Sequence, residues 1–296
     1  MQKYRCGFYN FWQTGPYEDF WLRRFLMRPR LRPLVGRKRI AFISVFGDPN
    51  IKAHLRADLR VFFTGENLDF YPSYSDHLFD EVDLSIGFDY LEREDYLRFP
   101  IWLLHCFEPE MDLSDISARL EQWKDNRANL LDRPSMVATM VASHDRSGVR
   151  GEIADEFANY GRVLYGGQFR NSGVEIGPGW PNKLDFIRRY PFQICPENSA
   201  RDGYTTEKLF EAFAAGCVPI YSGSEQPPEP GIFCQDAIIN YRPGDRHLFH
   251  QELERLSAGS SRLKELRDLS PFTPSAADHV HQYYIDLENR LVSLLR

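Results

Sequence analysis

From Arg39 onward the chain alternates short apolar runs with polar stretches of helical spacing. IAFISVF (Ile40–Phe46), LRVFFTG (Leu59–Gly65), VDLSIGF (Val82–Phe88), MVATMVAS (Met136–Ser143) and RVLYGG (Arg162–Gly167) are rich in β-branched and aromatic residues and end in turn formers, which predicts strands. Between Gly148 and Tyr160 the apolar positions Val149, Ile153, Phe157 and Tyr160 recur at helical spacing, and RVLYGG follows directly. A strand, a helix and a strand in succession predict a parallel sheet with crossover helices, the α/β class. The second half repeats this order: LDFIRRY as a short helix, PFQICPEN as a strand, TTEKLFEAFAAG as a helix, then CVPIYSG and AIINY as strands. The stretch Gly166–Asn182 concentrates Gly, Pro and Asn over more residues than an ordinary loop, and a domain junction is expected beside it. This divides the chain into 1–162, 163–270 and a tail, 271–296, in which Val280, Tyr284, Leu287, Leu291 and Leu295 form one helical stripe suited to packing back on the body.

Composition narrows the class. With 296 residues, 43% hydrophobic and 26% charged, the chain suits one large globular domain or two modest ones and excludes wholesale disorder and fibrous repeats. Its longest apolar stretch, FPIWLLHCF (Phe99–Phe107), is far shorter than the roughly 18 residues of a spanning helix. The N-terminus lacks an apolar signal core, the five cysteines are scattered, and no N-x-[ST] sequon occurs, so a cytoplasmic chain with reduced thiols is expected.

The formal charge of −6 is uneven: Arg23, Arg24, Arg28, Arg30, Arg32, Arg37, Lys38 and Arg39 follow one another without an acid. Such a block suits an anionic membrane surface, here the inner membrane, or nucleic acid; alternatively it is a solvated linker whose Pro29 and Pro33 prevent a helix. The acidic loop of Glu108, Glu110 and Asp112 reads as solvated charge. No Asp-x-Asp pair or other metal or nucleotide signature is present, so no cofactor or metal is implied, and stimulation by a divalent ion stays open.

The most informative stretch is PENSARDGYTTEKLFEAFAAGCVPIYSGS (Pro196–Ser224). Thr205 and Thr206 suit the N-cap of a helix, and Gly216 the left-handed residue that ends it. A helix N-terminus beyond a strand end offers unpaired N–H groups to a phosphate, and Lys208 in the first turn adds a full charge. Glu207 beside it supplies an acceptor suited to sugar hydroxyls. The same T-T-E-K is equally an ordinary helix start. Arg170, in the long Gly-rich loop, reaches toward the same strand ends and can grip phosphate oxygens in bidentate fashion.

Taken together these residues resemble a known family. Tyr204, Thr206, Glu207 and Lys208 (Y-x-T-E-K), the preceding Glu197-Asn198, the following F-x-A-F-A-A-G-x-V-P-I-x-x-G and Thr64–Asn67 (T-G-E-N) resemble the GDP-fucose-dependent α-1,3/4-fucosyltransferases of bacterial type. Ile86–Tyr90 (I-G-F-D-Y), Tyr96–Pro100 (Y-L-R-F-P), Val141–Ser143 with Arg150, and Gly166–Asn171 (G-G-x-x-R-N) extend the likeness over Ile40–Gly223. The resemblance implies an inverting transferase of GT-B type. Its two facing Rossmann-like domains would be an N-terminal one for the acceptor glycan and a C-terminal one for GDP-fucose.

By the same resemblance Glu66 is the catalytic base, and Arg170 and Lys208 neutralise the diphosphate. Tyr204 and Glu207 lie around the ribose and fucose, Asn198 belongs to the donor-side loop, and His144 and Arg150 are candidates for nucleotide contact. The implied acceptor is of N-acetylglucosamine or N-acetyllactosamine type. Two departures stand out: Pro196 where the family often has Phe, and His144 where Asn commonly follows V-A-S. The alternatives are a transferase of the same fold using another nucleotide sugar, and a non-catalytic binder of lipid or nucleic acid.

Overall fold

The computed structural model describes residues 5–12, 17–36, 38–50 and 56–296. Contacts divide the chain into two compact units, Met1–Ser114 together with Asp278–Arg296, and Asp115–Ala277.

The first unit is built on five parallel strands, β1 (Arg5–Tyr9), β2 (Arg39–Ile43), β3 (Leu59–Phe63), β4 (Leu84–Gly87) and β5 (Tyr96–Arg98), laid side by side in chain order. Their apolar runs are nearly continuous because a parallel sheet is covered on both faces, and all four residues of β4 are buried. Ile43, Val45, Phe62, Leu68, Tyr74, Leu78 and Val82 form one core cluster against this sheet.

The basic block is part of this unit and holds two short helices, α1 (Trp21–Phe25) and α2 (Arg32–Val35), rather than a helix-free linker. Pro33 sits in the first turn of α2, where its missing N–H costs nothing. Arg24 donates from Nη1 to Glu108 at 2.9 Å and from Nε to Glu110 at 2.9 Å, so two carboxylates of the acidic loop, solvated as they are, also pair with the basic block. Arg39 pairs with Asp58 at 3.0 Å. Arg37 lies outside the described residues. A third short helix, α3 (Trp102–Cys106), follows β5.

The second unit begins within α4 (Leu113–Asp125) and carries β6 (Val137–Ala142), α5 (Val149–Ala158), β7 (Arg162–Gly167), α6 (Trp180–Ile187), β8 (Phe192–Ile194), α7 (Glu207–Ala214), β9 (Val218–Tyr221), β10 (Ile239–Asn240), α8 (His247–Ser257) and α9 (Ser260–Asp268). All its strand pairs are parallel, in the order β10-β9-β8-β6-β7. Met140, Ile153, Phe157, Phe192, Ile194, Val218, Ile220 and Leu253 belong to its core. Because β6 pairs with both β7 and β8, residues 115–162 fall in this unit, and the Gly-rich loop is an internal connection from β7 to α6. The junction therefore lies near residue 114, not 162. The helix α7 ends as its sequence suggests: Gly216 has φ +69°, and a Cβ there would run into the backbone of Asn126.

The last helix, α10 (Ala276–Leu295), returns to the first unit, with Val280, Tyr284, Leu287, Leu291 and Leu295 all buried. Tyr284 packs edge-on to Trp21 at 5.6 Å and donates its hydroxyl to the Glu108 carbonyl at 3.0 Å. Arg28 and Arg30 both reach Glu288, at 3.5 Å and 3.1 Å. Among the described residues no helix is long and apolar enough to cross a membrane.

Candidate active site

In the second sheet the chain leaves β6 for β7 on one side and later takes β8 on the other, so the connections that follow β6 and β8 diverge. Open α/β sheets bind ligands at such a reversal, outside the carboxyl ends of the strands. Side chains from these two connections meet there. Arg150, 7% exposed, donates from Nη2 to Asn198 Oδ1 at 2.7 Å and from Nη1 to the His144 carbonyl at 2.6 Å. Asp145 accepts from the backbone N–H groups of Arg150 at 3.2 Å and Gly151 at 2.7 Å, satisfying two donors that the start of α5 leaves open. Burial lowers the pKa of Arg150. His144 is exposed, and its pKa is lowered by partial desolvation and by Arg146 and Arg150.

The loop after β8 carries the densest polar cluster. Glu197 has no side-chain exposure at all. Its Oε1 accepts from the Thr206 N–H at 2.8 Å, and its Oε2 accepts from the Thr206 hydroxyl at 2.7 Å and from Lys208 Nζ at 3.1 Å. Tyr221 donates its hydroxyl to Oε1 at 3.4 Å. Thr206 is the N-cap residue of α7, yet its side chain caps nothing: the hydroxyl turns back to Glu197 and accepts from Lys208 Nζ at 2.6 Å.

Lys208 is 17% exposed and lies 3.8 Å from Glu207. Burial works against its charge, but Glu197 and Glu207 outweigh burial and hold its pKa above the ordinary lysine value. The cluster thus presents one fixed ammonium at the start of α7, where the helix dipole adds to it. Glu207, the first residue of α7, keeps 24% side-chain exposure, and Tyr204 is buried at the loop's end.

Arg170 lies past the end of β7 with φ +48° and forms a bidentate pair with Asp155 of α5, its Nη2 3.0 Å from Oδ2. That pair raises its pKa. Its guanidinium stands beside the first turn of α5, where a Cβ on Gly151 would meet Nη2 at 3.1 Å. The structure therefore joins His144, Arg150 and Asn198 directly, joins Thr206 and Lys208 to Glu197, and brings Glu207 in through Lys208. Arg170 belongs to the α5 side, and the described contacts do not link it to Lys208. Sequence reasoning missed the buried role of Glu197, the capping by Asp145 and the pairing of Asp155 with Arg170. Only Asp145, placed ahead of Gly148 and the helix start, carried a local signal.

In the first unit, T-G-E-N follows β3. Thr64 is fully buried, and its hydroxyl accepts from the Glu66 N–H at 3.1 Å and donates to the Glu66 carbonyl at 3.0 Å. Gly65 leaves no room for a side chain against Ile101. Asn67 is buried and accepts from the Asp69 N–H at 3.0 Å, capping the short turn Leu68–Phe70. Thr64, Gly65 and Asn67 thus hold the loop, and Glu66, half-buried, follows the carboxyl end of β3.

Two Rossmann-like α/β units of parallel strands define the GT-B-type class of glycosyltransferase folds. Solved α1,3-fucosyltransferases share it. A crystal structure of one with GDP-fucose aligns at TM-score 0.61 over 96% of this chain and 89% of that one, with 20% identity. A second aligns at TM-score 0.60 over 90% and 81%, with 21% identity. The particular family follows from sequence: residues 6–105 match the α-(1,3)-fucosyltransferase FucT N-terminal domain, and residues 130–254 match the C-terminal domain of glycosyltransferase family 10, the fucosyltransferases. The chain belongs to this family, and the likeness extends on both sides of Ile40–Gly223.

The α-(1,3)-fucosyltransferase FucT of Helicobacter pylori is 32% identical over 209 residues, which is 61% of this chain and 41% of that protein. A putative fucosyltransferase-like protein of Arabidopsis thaliana is 29% identical over 103 residues, 34% of this chain and 17% of that protein. The matched region is less than half the length of either relative.

Proposed function

We propose that the protein transfers L-fucose from GDP-fucose to a hydroxyl of an N-acetylglucosamine- or N-acetyllactosamine-type glycan, in α-1,3 or α-1,4 linkage and with inversion. The observation that carries this reading is the Glu197–Thr206–Lys208 cluster, which fixes a cation at the start of α7 beside the Arg150–Asn198 bridge at the sheet's reversal point. This is an environment built for a phosphate-bearing nucleotide.

In the reaction, Glu66 takes the proton of the acceptor hydroxyl as its oxygen attacks the anomeric carbon of fucose. The bond from that carbon to the β-phosphate oxygen breaks on the opposite face, and GDP departs with the bonding electrons. Lys208, the N-terminus of α7 and Arg170 stabilise the charge that grows on the diphosphate, Arg170 exchanging Asp155 for phosphate oxygens. With two cations in that role the reading requires no metal. Tyr204 and Glu207 take the ribose and fucose hydroxyls.

Arg23, Arg32 and Lys38, in none of the ion pairs among the described residues, are the residues this reading assigns to peripheral contact with anionic lipid. The decisive experiment is incubation with GDP-fucose and a panel of oligosaccharides, reading the fucose mass increment. Transfer from a different nucleotide sugar alone would reassign the donor, and the absence of both product and GDP-fucose binding would refute the reading.

A further inference from the structure

The first sheet ends in a row of side chains set by its register. Phe63 of β3 pairs with Ile86 of β4, and Gly87 of β4 pairs with Arg98 of β5. Glu66 and Tyr90 therefore follow the ends of neighbouring strands, which lie about 4.8 Å apart, and Arg98 closes the row on the next strand.

Tyr90 is 60% exposed, so most of its ring is open to a ligand. It is also fixed. The Arg98 guanidinium carbon lies 4.4 Å from the centre of its ring, within cation–π range. Arg98 is itself held by three contacts: its Nε donates to the Phe88 carbonyl at 2.9 Å, its Nη1 donates to the Tyr283 hydroxyl, and it also lies 5.7 Å from the Tyr283 ring centre. A ring held in place while most of its surface meets water has lost little further freedom to lose on binding.

We propose that Tyr90 is the platform on which the acceptor sugar stacks, next to the carboxylate that deprotonates it. This rests on the fucosyltransferase reading and deepens it. The ligand class follows from the ring: a pyranose with equatorial substituents, as in β-linked N-acetylglucosamine, has one face of axial C–H bonds. That face is apolar and slightly positive and suits the electron-rich face of an aromatic ring. Stacking there positions the sugar for Glu66 without any contact with the nucleotide.

The test is steady-state transfer to N-acetyllactosamine with the full chain, comparing the parent with Tyr90→Ala, Tyr90→Phe and Tyr90→Trp. Tyr90→Ala is expected to raise the acceptor KM by about tenfold with the GDP-fucose KM unchanged, and both aromatic replacements to restore the acceptor KM to within about threefold of the parent. A parent-like acceptor KM in Tyr90→Ala, an equal rise in both KM values, or no rescue by Phe and Trp would overturn the platform while leaving the enzyme reading intact. A parent protein that transfers fucose to no acceptor overturns the enzyme reading itself, and the platform with it.

Discussion

The two parallel sheets differ in one topological respect. The strands β1 to β5 are laid down in chain order, whereas the order β10-β9-β8-β6-β7 reverses between β6 and β8. A reversal makes neighbouring connections part company, and in the second unit polar side chains converge on the gap: Arg150, Asn198, Glu197 and Lys208. Without a reversal the connections leave side by side, and the first unit presents a row of strand-end groups instead. A crevice lined by buried charges suits a compact, highly charged ligand, and an open row suits a neutral, extended one. The division of labour between donor and acceptor proposed above would then follow strand order.

The sharpest way to test that division is Glu66→Gln, which keeps size and hydrogen bonding but cannot accept a proton. Turnover is expected to fall by about 10²-fold or more, with GDP-fucose affinity near normal by calorimetry. A fall in both would mean that the first sheet also holds the donor.

Next in size is Lys208→Ala. Removing the ammonium leaves the Glu197 carboxylate buried with one fewer donor, so unfolding in urea should show a loss of about 3–5 kcal/mol together with weakened GDP binding. Unchanged stability would mean that Glu197 does not depend on Lys208, and the cluster would lose its part in the site.

Arg170→Ala is the contrasting case and the smallest effect. Its pair with Asp155 is 41% and 64% exposed, so stability should change by less than about 1 kcal/mol while GDP affinity falls by about tenfold. Equal GDP affinity in the variant would leave Arg170 as a plain surface ion pair.

Much of this was legible from residue pattern, and the exceptions have physical reasons. The strands β2, β3, β4 and β9 announce themselves because parallel strands buried on both faces read as apolar runs, and the less buried β6 and β7 through their β-branched and aromatic residues ending in turn formers. The strand β1, RCGFY, is short, starts polar and contains a glycine, so only its pairing with β2 makes it a strand. The basic block and the acidic loop each look like free charge in one dimension; their neutralisation by one another depends on contacts more than eighty residues apart. Glu197 shows the same limit within the site. Its carboxylate takes over the start of a helix nine residues downstream, a role that no local capping pattern reveals. The Gly-rich loop misled for the opposite reason, since it marks a long connection inside one sheet and not a boundary between units.

The return of α10 to the first unit also sets an order on folding during synthesis. Residues 115–277 emerge from the ribosome complete and can close their own core, while the strands made earlier wait for Val280, Tyr284, Leu287 and Leu291 to arrive. The unit encoded first is finished last. A nascent chain stalled before residue 278 would therefore carry a folded second unit tethered to exposed Trp21 and Phe25, the pair of rings against which Tyr284 is meant to pack and a ready target for chaperones.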